Sequence, residues 1–178
     1  MHSDIREIMF SEEQLSGIAD TIAEKINEDY GDTDIIAAVV LKGSLIFSAD
    51  LLRRLKMRVR IDFVQASSYG AGTESGGEIK IKKDLENDVA GKHVLIIEDI
   101  VDSGRTLSLL RKELMERGAA SVRIAALLSK PSRRAVDVEV EYIGAEIPDE
   151  FVVGYGLDLA ERYRNLPYIG VLKPEVYL

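Results

Sequence analysis

The segment Val94–Thr106, VLIIEDIVDSGRT, decides the fold. Its first four residues, Val94–Ile97, are apolar and rich in β-branched side chains, which predicts a buried strand. The carboxylates Glu98, Asp99 and Asp102 follow where this strand is expected to end. The turn Ser103–Thr106 then leads into a helix, so the segment reads as the strand–turn–helix unit of an α/β protein.

The same alternation extends along the chain on both sides of this segment. Strand–helix–strand repetition predicts an α/β fold with a central, mostly parallel sheet flanked by helices on both faces. Ligands of such sheets bind at the carboxyl ends of the strands. The predicted elements are a helix opening at the capping box Ser11–Gln14, strand Ile35–Leu41, helix 45–55, strand Arg58–Gln65, a returning hairpin arm Ile79–Ile81, strand Val94–Ile97, helix Thr106–Arg117, strand Val122–Leu128, and short strands Val138–Ile143, Phe151–Gly154 and Tyr168–Leu172.

Length and composition narrow the class of protein. The chain has 178 residues, no cysteine and a net charge of −8, and at this length we expect one domain over residues 1–178. The longest uncharged apolar run, Ile35–Leu41, is far shorter than the ~20 residues of a membrane helix. The acidic N-terminus lacks the apolar stretch of a secretory signal, so we expect a cytoplasmic protein. An acidic chain gains no general attraction to nucleic acid, and we expect no nucleic-acid or membrane partner.

The two halves of VLIIEDIVDSGRT have opposite chemistry. A glycine-containing turn at a helix N-terminus, with the hydroxyls of Ser103 and Thr106, suits a phosphate group. The carboxylates repel a phosphate, so Glu98 and Asp99 suit a sugar diol, and a bound Mg²⁺ would reduce their mutual repulsion. A ligand with a diol at one end and a phosphate at the other is a ribose 5-phosphate. No GxxxxGK[ST] pattern occurs, which excludes a Walker A site.

This segment resembles the phosphoribosyl-pyrophosphate (PRPP) motif of the type I phosphoribosyltransferases. Leu41-Lys42-Gly43-Ser44, Ser67-Ser68-Tyr69 and FVVGYGLDLAERYR over Phe151–Arg164 resemble further motifs of its hypoxanthine-guanine branch, in family order. The resemblance runs from about residue 5 to the C-terminus and is strongest to the short bacterial members. It implies the type I fold with a mobile hairpin loop, and a small hood over the base site formed by the N-terminal residues and residues 130–178.

The resemblance also implies a pentosyltransferase that moves the phosphoribosyl group from PRPP to hypoxanthine or guanine in purine salvage, with Mg²⁺. The resemblance assigns the ribose and metal to Glu98 and Asp99, and the 5-phosphate to Asp102, Ser103, Gly104, Arg105 and Thr106. It assigns pyrophosphate to Lys42, Gly43 and Arg164, and places Ser68 and Tyr69 in the mobile loop. The residues implied for the purine are Lys130, Phe151, Val152 and Asp158, and Asp158 is also an implied metal ligand.

Two of these residues carry the chemistry of the base. A carboxylate can accept the proton that the attacking purine loses, and the resemblance gives that catalytic role to Asp102; capping of the next helix is the structural alternative. Lys130 would donate to the O6 atom of a 6-oxopurine. Such a site rejects adenine, because its donor would face an amino group, and discrimination of about 10⁴-fold or more follows from a mispaired polar group.

The ribose-phosphate site by itself fits more than one function. A PRPP-binding regulator, or a transferase for xanthine, adenine, uracil or orotate, would share the ribose-phosphate site. Arg105 stands where many relatives have lysine, and Gly156 and Leu159-Ala160 also depart from the family pattern, which leaves base preference open. A homodimer or homotetramer is expected from the family and from the frequency of symmetric oligomers.

Overall fold

A computed structural model describes residues 1–68 and 79–177. Within these two stretches, every helix is too short or too polar to cross a bilayer. In chain order, the elements are β1 (Ile5–Phe10), α1 (Glu12–Tyr30), β2 (Ile35–Val40), α2 (Leu45–Leu52), β3 (Val59–Ser68), β4 (Ile79–Lys83), β5 (His93–Val101), α3 (Arg105–Glu116), β6 (Ser121–Ser129), a 3₁₀ turn (Pro131–Arg133), β7 (Tyr142–Glu146), β8 (Val152–Val153), β9 (Ile169–Leu172) and α4 (Pro174–Tyr177).

The centre of the molecule is a six-stranded sheet in the order β4-β3-β2-β5-β6-β7. Strands β3, β2, β5, β6 and β7 run parallel, and only the edge strand β4 is antiparallel to its neighbour. The carboxyl ends of the parallel strands therefore meet along one edge. The predicted α/β fold and the returning hairpin arm are confirmed.

The central strands are buried on both faces, which explains their continuous apolar sequence. On one face, Ala37, Val39 and Leu95 share a core with apolar residues of α1 and α2. On the other face, Ile36 and Ile96 share a core with residues of α3. Helix α1 starts at the predicted capping box, where Ser11 and Gln14 exchange side-chain and backbone hydrogen bonds.

A second sheet of three strands, β1-β9-β8, joins the two ends of the chain. All its pairs are antiparallel, and Ile5 pairs with Leu172. Ile5, Val153 and Leu172 form a small separate core beside it. This sheet unites N-terminal and C-terminal residues, the parts of the chain assigned to the hood, whose role stays a prediction.

Several predicted boundaries were wrong, most clearly those of β5 and β7, and one strand was missed. Strand β5 continues through the carboxylates to Val101, because β6 continues beside it and Val101 pairs with Ser129. The strand expected over Val138–Ile143 begins only at Tyr142. Upstream of it, the Glu141 carboxylate accepts the Ile124 amide of β6 at 2.8 Å, which replaces a strand partner. Strand β1 had no predicted counterpart.

Candidate active site

The end of β5 carries two carboxylates side by side. The Asp99 amide donates to Glu98 Oε1 at 3.1 Å, and the Ile100 amide donates to Asp99 Oδ1 at 2.7 Å. Neither acid forms a salt bridge within residues 1–68 and 79–177. Burial, and then the charge of Asp99, raise the pKa of Glu98 well above its usual range, and burial raises the pKa of Asp99. A cation placed here would relieve the repulsion and lower both pKa values.

The turn after β5 is shaped to present helix amides. Gly104 is the N-cap of α3 with φ of 81°, and an added Cβ would lie 2.8 Å from the Val136 carbonyl oxygen. The Ser103 carbonyl accepts the amides of Ala135 and Val136, at 3.0 and 3.1 Å, which fixes the turn against the chain that follows β6. The first turn of α3 leaves amides without intrahelical partners. These amides and the Ser103 and Thr106 hydroxyls are the groups predicted for the 5-phosphate.

Asp102 does not cap α3, because the N-cap is Gly104 and the amide of Arg105 donates to Ser103 Oγ, at 3.4 Å, rather than to Asp102. Its carboxylate instead accepts from Arg133 Nε at 3.1 Å, with Asp102 about half exposed. Arg133 also lies 3.5 Å from Asp149, and Lys130 Nζ lies 3.6 Å from the other oxygen of Asp149. Asp149 and Arg133 therefore link Lys130, which is predicted to bind the O6 atom of the base, to Asp102, which is predicted to accept the proton of the base.

The loop after β2 lies against the acids of β5. The Leu41–Lys42 peptide bond is cis, and an added Cβ at Gly43 would overlap the Asp99 carboxylate. A Cβ at Gly156 would overlap the Gly43 carbonyl oxygen in turn. Glycine at 43 and 156 thus allows the β2 loop, the β5 acids and residues 151–164 (the C-terminal segment) to pack together.

The C-terminal segment brings its own charges to this loop. Arg164 donates to the Gly156 carbonyl at 2.7 Å and pairs with Asp158 at 2.9 Å and Glu161 at 3.1 Å. Glu161 also accepts from Lys42 Nζ at 2.8 Å. Hydrogen bonds from Lys42 and Arg164 lower the pKa of Glu161. The two cations predicted to hold pyrophosphate are therefore joined by one carboxylate.

The aromatic residue predicted to stack on the base already has one neighbour. The Phe151 ring stacks on Tyr177 of α4, with centroids 4.9 Å apart and planes 23° apart. Val152 follows on β8 and pairs with Val171 of β9. One face of the Phe151 ring is covered by the protein itself.

The family model for the phosphoribosyl transferase domain matches residues 10–160. The chain belongs to the phosphoribosyltransferase family. A hypoxanthine-guanine phosphoribosyltransferase of Staphylococcus epidermidis is 50% identical over 177 residues, 99% of each chain. The crystal structure of a hypoxanthine phosphoribosyltransferase from Staphylococcus aureus is 48% identical, with a TM-score of 0.96, over 100% of this chain and 97% of that one. A hypoxanthine phosphoribosyl transferase of Trypanosoma cruzi, 38% identical, has a TM-score of 0.94 over 99% of this chain and 96% of that one.

Membership of the phosphoribosyltransferase family confirms the resemblance on which the site was predicted. The match to the family model includes the β2 loop, the acids of β5 and the glycine turn. Arg164 and β9 lie beyond residue 160, where the full-length relatives extend the match.

Some predicted residues of this phosphoribosyltransferase are not brought together. Ser68 ends β3, while Tyr69 and the glycine-rich stretch 70–77 lie outside the described residues. In the part of the chain that is described, no three His, Cys, Asp or Glu side chains form a group that could hold a metal. Asp158 faces Arg164 rather than joining Glu98 and Asp99 in one cluster, so its role as a metal ligand stays a prediction.

Sequence reasoning missed three charged residues of this site. Arg133, Asp149 and Glu161 are each more than half exposed as side chains, and exposed charges carry no periodic signal. The only hint was position: Arg133 follows Lys130 by three residues, and Glu161 lies three residues before Arg164.

Proposed function

We propose that the protein transfers the 5-phosphoribosyl group of PRPP to hypoxanthine or guanine, giving IMP or GMP and pyrophosphate, as a step of purine salvage. The observation that carries this proposal is that three features lie together at the carboxyl ends of the adjacent strands β5 and β6. They are the acid pair suited to a ribose diol, the glycine turn at the start of α3, and the linked charges Lys130–Asp149–Arg133–Asp102. The close relatives with hypoxanthine in their names support the choice of base.

In this proposal, the sugar and phosphates lie along the edge of the sheet. The α3 amides with Ser103, Gly104, Arg105 and Thr106 bind the 5-phosphate, and Glu98 and Asp99 face the ribose hydroxyls. Lys42, the Gly43 backbone and Arg164 bind the pyrophosphate group. Strong hydrogen bonds between charged partners make such a site selective for PRPP.

Mg²⁺ is the metal that these residues fit. Glu98 and Asp99 offer hard oxygen donors whose pKa values are raised by burial and, for Glu98, also by the charge of Asp99, and Mg²⁺ commonly takes one or two carboxylates with substrate oxygens. Asp158 is the further ligand implied by the family. When bound, the ion would supply positive charge to the pyrophosphate as it leaves.

The reaction breaks the bond between the anomeric carbon and pyrophosphate and forms a bond from that carbon to a purine nitrogen. Cleavage of such a bond passes through an oxocarbenium-like state. Asp102 accepts the purine proton, Lys130 donates to O6, the free face of Phe151 stacks on the ring, and the Val152 backbone reads its edge. Asp149 and Arg133 fix the positions of Asp102 and Lys130 relative to each other.

We also propose that the protein is cytoplasmic and works as a homodimer or homotetramer. The Trypanosoma cruzi relative was solved in work on its oligomeric state, which supports an oligomer here. No nucleic-acid or membrane partner is part of this proposal.

The test is a base-by-base assay with purified protein, Mg²⁺ and PRPP. Hypoxanthine, guanine, xanthine, adenine and uracil are offered in turn, with an EDTA-treated sample as the control for the metal. We expect turnover of hypoxanthine or guanine that EDTA abolishes. Turnover of adenine or uracil alone would contradict the base assignment, and PRPP binding without turnover of any base would favour a regulator.

A further inference from the structure

The carboxylate of Glu161 lies between the two cations assigned to pyrophosphate. One oxygen, Oε2, is 2.8 Å from Lys42 Nζ, and the other, Oε1, is 3.1 Å from Arg164 Nη2. Lys42 follows β2 and Arg164 ends the C-terminal segment, so Glu161 joins two distant parts of the chain. Glu161 thus places one oxygen on each cation, and together with Asp158, which lies 2.9 Å from Arg164, it balances their two positive charges.

An anionic substrate group cannot use these cations while Glu161 does. A pyrophosphate on Lys42 and Arg164 would lie beside the Glu161 carboxylate, and like charges at such range repel. Glu161 is the most exposed of the three, with 63% of its side chain accessible against 55% for Lys42 and 24% for Arg164. It is therefore the group that can turn into solvent at small cost.

The backbone holds Glu161 in place for this contact. Its amide donates to Asp158 Oδ2 at 2.8 Å, and Ala160 and Glu161 both have positive φ, 49° and 66°. Left-handed backbone is uncommon for residues with a side chain. Because the turn is fixed by Asp158, only the Glu161 side chain has to move when the cations are needed elsewhere.

We propose that Glu161 is an internal competitor for the pyrophosphate site: its carboxylate pairs with Lys42 and Arg164 until the pyrophosphate group of PRPP, or free pyrophosphate, displaces it. The inference rests on the proposed function, because that function assigns the two cations to pyrophosphate. It makes Glu161 a residue that sets affinity for PRPP and pyrophosphate without touching the reacting atoms.

The size of the effect follows from the competition. The apparent affinity for pyrophosphate equals the intrinsic affinity multiplied by the fraction of molecules in which the cations are free. Exposed ion pairs are weak, so removing two of them should tighten pyrophosphate binding by about three- to tenfold. A role in merely orienting Lys42 predicts the opposite sign.

The experiment compares Glu161→Gln with Glu116→Gln. Glu116 lies at the far end of α3, is 65% exposed and pairs with a lysine at 3.8 Å, so its variant controls for the loss of one negative charge. Calorimetry with inorganic pyrophosphate and Mg²⁺ should show about three- to tenfold tighter binding for Glu161→Gln only. The KM for PRPP should fall by a similar factor, while the affinity for IMP, which has no pyrophosphate group, stays the same.

Pyrophosphate binding is measured whether or not the protein turns over a base, so the two proposals fail separately. Unchanged or weaker pyrophosphate binding by Glu161→Gln overturns the inference, as does an equal gain in Glu116→Gln or in IMP affinity. Glu161→Ala, which cannot hydrogen-bond to either cation, should reproduce the gain. A melting temperature for each variant verifies that the folded protein is compared.

Discussion

Two parts of the molecule carry carboxylates in different surroundings: the middle of β3, and the acidic end of β5 with the turn after it (Glu98, Asp99 and the half-exposed Asp102). In β3, Asp62 is only 3% exposed. Its Oδ2 accepts the amides of Glu86 and Asn87 and the Asn87 side chain at 2.7–2.9 Å, and its Oδ1 accepts the Phe63 amide at 2.8 Å. Burial alone would raise the pKa of Asp62, but these hydrogen bonds lower it.

Compared with Asp62, the carboxylates at the acidic end of β5 are more accessible to solvent but accept hydrogen bonds from fewer donors. Glu98 and Asp99 each accept one backbone amide, and burial raises the pKa of both. The number of donors, rather than depth, decides whether a carboxylate is stable as a charge. The hydrogen bonds of Asp62 all come from the protein, and they fix the segment after β4. Glu98 and Asp99 have too few donors, and their charges require a cation or a substrate group.

The largest expected effect comes from Asp102→Asn. An amide has the shape of a carboxylate but cannot accept the purine proton, so kcat should fall by about 10²- to 10⁴-fold while PRPP affinity changes little. Steady-state kinetics with hypoxanthine and calorimetry with PRPP measure the two quantities. Asp32→Asn, an exposed site in the turn after α1, is the control. Equal losses in kcat and in PRPP affinity would remove Asp102 from the proton transfer.

Asp62→Asn should act on stability instead of catalysis. The new NH₂ group would face N–H donors, and loss of charge-assisted bonds costs about 2–3 kcal/mol of unfolding free energy. Because the pKa of Asp62 is lowered in the folded protein, its stabilisation is present above about pH 4 and is lost as the pH falls through the folded value. Urea unfolding at pH 7 and pH 3 should therefore show a difference that shrinks in acid.

The control for this prediction is Asp88→Asn, whose carboxylate accepts, among residues 1–68 and 79–177, a single hydrogen bond from the Ala90 amide at 3.0 Å. It should lose well under half as much stability. A drop in kcat per folded molecule of Asp62→Asn would show that β3 and the end of β5 are not independent.

The smallest expected effect is a gain in stability from Glu98→Gln. A raised pKa means that charge on Glu98 opposes folding: the penalty is absent below about pH 4, grows as the pH rises, and is complete above the folded pKa. Metal-free Glu98→Gln should therefore be more stable by about 1 kcal/mol at pH 8, as is common when a functional residue is replaced. Thermal unfolding at pH 8 and pH 4 measures the difference.

Mg²⁺ with PRPP should cancel this gain, because the wild type then acquires the missing partner. Glu139→Gln, at an exposed position, serves as the control and should show neither change. A destabilised Glu98→Gln at pH 8 would mean that the acids of β5 are satisfied within the protein, like Asp62.

Structural elements that are encoded by neighbouring residues could be predicted from the sequence, whereas contacts between residues far apart in the chain could not. The strand–turn–helix unit after Val94 and the capping box at Ser11 are encoded by neighbouring residues. Strand β1 exists through pairing with β9, more than 150 residues away, so its short sequence gave no sign of it. The same holds for the site: Lys42 and Glu161 are 119 residues apart, and Asp102 and Arg133 are 31 apart.

The packing of Gly43 between Asp99 and Gly156 has a consequence for how such a sequence can diverge. A methyl group at residue 156 would displace the Gly43 carbonyl, and one at residue 43 would displace the Asp99 carboxylate. Substitutions at these positions are therefore epistatic: the effect of one depends on where the backbone of the other has settled. A chimera that takes residues 151–164 from a relative with a side chain at 156 will need that relative's β2 loop as well.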